Sequence, residues 1–274
     1  MYKGKLSLSI VTTGGCNMDC SFCINKEDMK ISDSPKLPIA VSDFIAKHKG
    51  NIGDFTISGG EPFLDLMKLQ EILNVVIPEN RPVTILTNGT LLNGEIVEEL
   101  NNYSNIRVGI SISALRGGEK SLNKLVSLAP TGFEIVNHIK RLNNKYIVYV
   151  IQKLDDVDVL DIMALQSMFD CDIVLALDDD NLESYSTFDC RPFTRILYRL
   201  RALNLEDTVS FARLFEGTCD CRHSIKMLPD GSTTEKSHEK ADSFESKGCS
   251  STRNRMTPGL YDLFAKLYSA FKNK

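Results

Sequence analysis

The chain has 274 residues, 42% hydrophobic and 25% charged, enough for one large domain, or a domain with a smaller appendage, around a sizeable core. Its formal net charge of −4 gives no nucleic-acid footprint, and no apolar run approaches the ~18 residues of a membrane span. Leu6–Val11 is too short for a signal-peptide core, so a cytoplasmic protein with neither nucleic acid nor membrane as partner is expected.

Short apolar runs rich in β-branched residues alternate with amphipathic stretches. Strands are expected at Leu6–Val11, Phe55–Ser58, Val83–Leu86, Val108–Ile112, Tyr146–Ile151 and Ile173–Leu177. Helices are expected over Ser42–Lys47, with Ser42 as cap, and over Asp65–Val75, Glu95–Leu100, Phe133–Leu142 and Val157–Phe169. Two more follow at Pro192–Leu203 and Tyr261–Phe271. Parallel neighbours need crossover connections, so this alternation predicts an α/β chain with right-handed crossovers. Six repeats end near residue 180, two short of a closed eight-unit barrel. That favours a partial (βα)6 TIM-like barrel over residues 1–185, with a flat doubly wound sheet as the alternative. Residues 186–274 then form a cysteine-containing C-terminal extension. A Pro-Asp-Gly turn after Ser224–Leu228 predicts one hairpin in it.

Eight cysteines need a role, and in a reducing compartment clustered cysteines point to metal or redox chemistry. Cys16, Cys20 and Cys23 lie in CNMDCSFC, spaced C-x3-C-x2-C, just after the first strand. A structural zinc would call for a fourth ligand nearby, and His48, the nearest histidine, lies in a predicted helix. Thiolates at short loop spacing suit an iron–sulfur cluster better. Ligands in such folds bind at the C-terminal ends of the strands, where the other motifs also fall. Gly59-Gly60-Glu61-Pro62 follows the second strand, Thr87-Asn88-Gly89-Thr90 the third, and Ser111 and Ser113 end the fourth. Taken singly these read as a tight turn, a hairpin turn and small residues in a crowded interior. Their convergence on one end of the sheet carries more weight than any one of them.

CNMDCSFC, SGGEP, TNGT and the serine-bearing fourth strand, in this order over roughly residues 5–180, resemble the radical S-adenosylmethionine (SAM) superfamily. The resemblance implies a [4Fe–4S] cluster on Cys16, Cys20 and Cys23, with SAM chelating the remaining iron. It places Phe22 near the adenine and Gly59, Gly60 and Glu61 at the SAM amino group. Thr87 and Asn88 fall among the SAM contacts, and Ser111 and Ser113 at the ribose or carboxylate. Gln152 and Lys153 are candidates for the methionine end. The implied chemistry is reductive cleavage of SAM to a 5′-deoxyadenosyl radical that takes hydrogen from substrate, with flavodoxin or ferredoxin as electron donor.

Cys190, Cys219, Cys221 and Cys249 read as ligands of a second, auxiliary iron–sulfur cluster. Their surroundings resemble the SPASM or twitch extensions of peptide-modifying members, although Lys236 stands where a cysteine is expected. Buried thiols, a hydrogen-atom donor, or a zinc site with His223 or His238 are the competing readings. Cys171 precedes the sixth strand and is expected as a small buried hydrophobe. The leading function is a maturase acting on a ribosomally made peptide. The alternatives are a small-metabolite, nucleotide or cofactor-biosynthesis enzyme, a glycyl-radical enzyme activase, and an iron–sulfur sensor without turnover. Asp178-Asp179-Asp180 reads as a solvated loop rather than a contact for a basic substrate.

Overall fold

A computed structural model describes residues 6–21, 23, 25–151, 157–177, 191–205, 207–211 and 224–235. Phe22, Gln152, Lys153, Asp178–Asp180, Cys190, Cys219, Cys221, His223, His238, Cys249 and the helix expected at Tyr261–Phe271 lie outside the described residues. In chain order the elements are β1 (Leu6–Val11), α1 (Leu37–Lys47), β2 (Ile52–Ser58), α2 (Leu66–Val76), β3 (Val83–Thr87) and α3 (Gly94–Asn101). They continue with β4 (Ile106–Ser111), α4 (Leu122–Leu128), α5 (Glu134–Arg141), β5 (Lys145–Ile151), α6 (Val159–Phe169) and β6 (Asp172–Leu177). Last come α7 (Arg191–Ala202), β7 (Val209–Phe211), β8 (Ser224–Met227) and β9 (Thr233–Glu235). All six expected strands are present, and at least one helix follows each. The fold class is α/β.

The described residues fall into two compact units, one within Met1–Ile110, Leu125–Lys145 and Asp220–Glu239, the other within Ser111–Lys124 and Tyr146–Cys219. In the first, β1 pairs in parallel with β2, β2 with β3, and β3 with β4. Leu8, Ile10, Phe55, Ile57 and Ile85 are fully buried on these strands, as are Leu37, Val41 and Ile72 on α1 and α2. Each such side chain contributes about 1.5–3 kcal/mol. In the second unit β5 pairs with β6 and β6 with β7, again in parallel.

Three differences from the sequence expectations have physical causes. Helix α1 starts at Leu37, not at Ser42, with Pro38 in its first turn. Proline reads as a breaker, yet in a first turn its missing N–H is one that no helical carbonyl would have accepted. Second, α4 precedes α5 as a separate short helix that the apolar pattern did not resolve. Third, the expected hairpin is there, β8 running antiparallel to β9, but β8 also pairs in parallel with β1. Its turn is closed by Asp230, which accepts from the Ser232 amide at 2.9 Å and hydroxyl at 2.7 Å, with Gly231 at φ 86°. Three helices start on side-chain caps for which the sequence reading named no cap. Asp65 accepts from the Lys68 amide at 3.0 Å, Asn93 from Ile96 at 2.9 Å and Asp158 from Leu160 at 2.9 Å. Cys171 is partly exposed before β6 rather than buried. Among the described residues no helix is long and apolar enough to cross a membrane.

Candidate metal and cofactor site

The site grows from the end of β1. Thr12 and Thr13 are buried, and the Thr12 amide donates to the Ser58 carbonyl at 2.8 Å, carrying the β1–β2 pairing into the loop. The segment after β2 then grips that loop by its backbone. Gly60 N–H donates to the Thr13 carbonyl and Glu61 N–H to the Gly15 carbonyl, both at 2.8 Å. Such an approach leaves no room for a side chain. A Cβ on Gly60 would lie 1.9 Å from the Gly15 carbonyl oxygen and 3.0 Å from the Cys16 Cβ.

The far side of the loop is held as well. Asn25 is buried, and its side-chain amide donates to the Gly59 carbonyl at 2.9 Å. Lys226, from β8, forms an ion pair with Asp28 and reaches Asn25 Oδ1 at 3.5 Å. The Ser34 amide donates to the Pro229 carbonyl at 2.9 Å, so the hairpin also takes part in holding the loop.

Asp33 returns to the loop's start. It accepts from Thr13 Oγ1 at 2.6 Å, Gly14 N–H at 2.8 Å and Lys68 Nζ at 3.2 Å. Burial pushes the Asp33 carboxyl up, but these hydrogen bonds and the Lys68 charge outweigh it and hold it below the usual 3.8. A carboxyl lowered by folding contributes stability at pH above its unfolded value and loses it as pH falls through the folded one. Asp33→Asn is therefore expected to flatten the acid limb of stability, read as urea midpoints from about pH 5 to about pH 2. Parallel acid limbs for variant and wild type would show that Asp33 does not carry this dependence.

The three cysteines sit on this strapped loop. Cys20 is buried, while Cys16 and Cys23 are partly exposed. The sulfur of Cys16 accepts from the Met18 amide at 3.4 Å and lies 3.9 Å from the Asn88 side-chain nitrogen. Cys23 Sγ is 3.8 Å from the Met29 sulfur. Among the described residues no three His, Cys, Asp or Glu side chains are grouped as ligands of one ion. A cluster in which each thiolate takes its own iron spreads its ligands over several metal atoms.

Glu61 is wholly buried and faces protein donors. Its Oε1 accepts from Thr87 Oγ1 at 2.7 Å and Phe63 N–H at 3.2 Å, and its Oε2 from Asn88 N–H at 2.8 Å. The carboxylate thus ties the segment after β2 to the end of β3. Gly89 follows at φ 80°, where a Cβ would stand 2.8 Å from Ile110 Cγ2, so TNGT turns off β3 towards α3 rather than into a hairpin.

Asn88 joins a closed ring. Its Nδ2 donates to Asn17 Oδ1 at 2.9 Å, Asn17 Nδ2 donates to Thr90 Oγ1 at 2.7 Å, and Thr90 Oγ1 donates to Asn88 Oδ1 at 2.6 Å. Asn17, Asn25, Asp33, Thr90 and Lys226 carry much of this geometry, and no role was read for them in the sequence. Asn17 and Thr90 stand inside motifs already singled out; the other three have no local signal.

In the second unit, Ser111 and Ser113 flank the buried Ile112, whose amide donates to the Val148 carbonyl at 3.1 Å. Ser113 Oγ accepts from the Val150 amide at 3.1 Å.

The family model of the radical SAM superfamily matches residues 10–165. The chain belongs to the radical SAM superfamily. Members of this family are enzymes that use a [4Fe–4S] cluster and SAM, and the residues present fit that pair. Three thiols share one loop, their loop is strapped at both ends, and N–H groups point at the Cys16 sulfur, as a cluster-bound thiolate favours. Among curated relatives, this radical SAM chain is 32% identical over 97 residues to the probable GTP 3′,8-cyclase of Methanothermobacter thermautotrophicus, covering 32% of this chain and 29% of the cyclase. It is 28% identical over 149 residues to the sporulation killing factor maturation protein SkfB of Bacillus subtilis, covering 53% of this chain and 35% of SkfB. It thus spans about a third of the length of these relatives. The crystal structure of Streptococcus suis SuiB bound to SAM is similar with a TM-score of 0.63 at 16% identity, over 98% of this chain and 68% of SuiB. SuiB has also been solved bound to its precursor peptide SuiA. That likeness shows the fold, the α/β partial-barrel class expected from the sequence.

Proposed function

We propose that this radical SAM chain is a peptide maturase, acting on a ribosomally synthesised precursor. The observation that carries the reading is the structural likeness to SuiB over nearly the whole chain, with SkfB, a maturation protein, as supporting sequence relative. In this reading Cys16, Cys20 and Cys23 hold the [4Fe–4S] cluster, and the Gly59–Glu61 segment, Thr87 and Asn88 form the neighbouring SAM contacts. Ser111, Ser113 and Phe22 enter on the resemblance alone, as do Cys190, Cys219, Cys221 and Cys249 as ligands of an auxiliary cluster in a 186–274 extension. Flavodoxin or ferredoxin is the proposed electron donor.

Held by Cys16, Cys20 and Cys23, a [4Fe–4S] cluster would supply the one-electron reduction of SAM from which hydrogen abstraction at the substrate follows. The chain's own residues keep the ligands in place. Backbone bonds from Gly60 and Glu61 fix the start of the cysteine loop, and Asn25 fixes its end. Glu61 holds Thr87 and the Asn88 amide, so the segments after β2 and β3 are set as one body. Preorganisation of this kind spares the reaction the cost of ordering its ligands.

A second reading, a nucleotide substrate, has the identity to the GTP 3′,8-cyclase in its favour. Anaerobic turnover with SAM and dithionite separates the two. A mass change in any short peptide encoded beside the gene, with 5′-deoxyadenosine formed in step, supports the maturase. Stimulation by GTP with the peptide unchanged replaces it with the second reading.

A further inference from the structure

We propose that Asn88 is a positioning residue for the Cys16 sulfur, aimed by Asn17 and Thr90, and that its N–H group raises the reduction potential of the cluster Cys16 holds. The inference rests on the cysteine triplet being the cluster site.

The direction of every hydrogen bond in the ring follows from a single group. The Thr90 backbone N–H can only donate, and it donates to Asn88 Oδ1 at 2.9 Å. That fixes the Asn88 amide with its oxygen towards Thr90 and its nitrogen away from it. The Thr90 hydroxyl proton goes to the same oxygen, 2.6 Å away, which leaves Thr90 Oγ1 to accept from Asn17 Nδ2 at 2.7 Å. Asn17 must then present Oδ1 to Asn88 Nδ2, at 2.9 Å. Flipping either amide would set donor against donor or acceptor against acceptor.

An amide nitrogen has two protons. One of those on Asn88 is used by Asn17, and the direction left to the other leads to Cys16 Sγ, 3.9 Å away. Thr90 is wholly buried and Asn88 nearly so, which keeps water from competing for the Thr90–Asn88 bonds; Asn17 is partly exposed. The Asn88 main chain is held as well, by Glu61 Oε2 on its amide. The side chain is therefore fixed from both ends and cannot follow the sulfur or turn from it.

The chemical consequence is one of charge. A cluster gains negative charge on one-electron reduction, and part of it resides on the thiolate sulfurs. An N–H dipole fixed on one of those sulfurs favours the reduced state more than the oxidised one. Asn17, one residue after Cys16, belongs to the cluster loop, whereas Asn88 and Thr90 belong to the turn after β3. The ring thus couples that turn to the first cluster ligand.

An EPR-monitored redox titration of the reconstituted 274-residue chain tests this, following the signal that disappears when Cys16, Cys20 and Cys23 are all replaced by alanine. At the wild-type midpoint, Asn88→Ala is expected to lower the reduced-to-oxidised ratio about threefold or more, equivalent to about 28 mV at 59 mV per decade for one electron. Thr90→Val, which keeps the shape but opens the ring, shifts the ratio the same way, and Thr90→Ser restores it. An Asn88→Ala protein with full iron and an unchanged midpoint overturns the proposal. Should Asn88→Ala hold no iron, an unchanged midpoint in Thr90→Val overturns it instead. A wild-type chain that takes up no four-iron cluster refutes the underlying cluster assignment, and that outcome is seen before any variant is made.

Discussion

Replacing Cys16, Cys20 and Cys23 together by alanine is expected to abolish SAM cleavage, with 5′-deoxyadenosine under dithionite falling about a thousandfold or more, a barrier increase of at least about 4 kcal/mol. The size follows from the chemistry of the loop. Iron–sulfur clusters are held by thiolates, and the triple substitution removes all three from the loop; of the nearby carboxylates, Asp28 is paired with Lys226, and Asp33 is engaged by Thr13, Gly14 and Lys68. The fold itself should tolerate the change, because Gly60, Glu61, Asn25 and Asp33 hold the loop by hydrogen bonds that the three substitutions leave in place. Two measurements check this: 5′-deoxyadenosine by mass spectrometry, and iron counted by Mössbauer spectroscopy after anaerobic reconstitution. Wild-type yields in the triple variant would remove the triplet from the reaction. Iron retained in it is the result expected if Cys190, Cys219, Cys221 and Cys249 bind an auxiliary cluster, and its complete absence would sink that assignment.

Gly60→Ala is expected to lower the unfolding free energy by about 3 kcal/mol and to strip the chain of most of its cluster, although no ligand is altered. The added methyl would stand 1.9 Å from a backbone carbonyl oxygen, and no flexible side chain can swing aside to relieve it. Either the segment after β2 withdraws, breaking its hydrogen bonds to the Thr13 and Gly15 carbonyls, or Cys16 is driven off its position. Urea denaturation gives the first quantity and iron per chain the second. Substitution at Gly50, whose Cβ would meet nothing within 4 Å, controls for a general glycine effect, although its φ of 83° carries a strain of its own. A Gly60→Ala protein with wild-type iron and urea midpoint would show that the backbone contact is looser than its geometry.

The features that could be read along the chain are those whose cause is local. Strand β1 matches its expected limits at both ends, because a run such as LSLSIV has few alternatives to burial as a strand. The turn at Asp230 likewise depends on a group two residues away, whereas the caps Asp65 and Asn93, equally local, were not read. Even locally, α1 escaped, since Pro38 signals a break or a first turn with the same letter.

The amino-acid sequence by itself determined the class of chemistry. Three thiols at C-x3-C-x2-C, then SGGEP, TNGT and the serine pair, are contiguous strings, and their order along the chain is read without knowing what surrounds them. Only the tertiary structure decided how they are used. Asn17 meets Asn88 across 71 residues, and Lys226 meets Asp28 across 198. The Glu61 carboxylate turns inward to Thr87 and Asn88, and β8 pairs with β1. A hydrogen bond of that span has no periodicity to betray it. Its partner is chosen when the strands pair and leave one donor facing one acceptor in a partly buried place, where leaving a buried group unpaired costs about 1–3 kcal/mol.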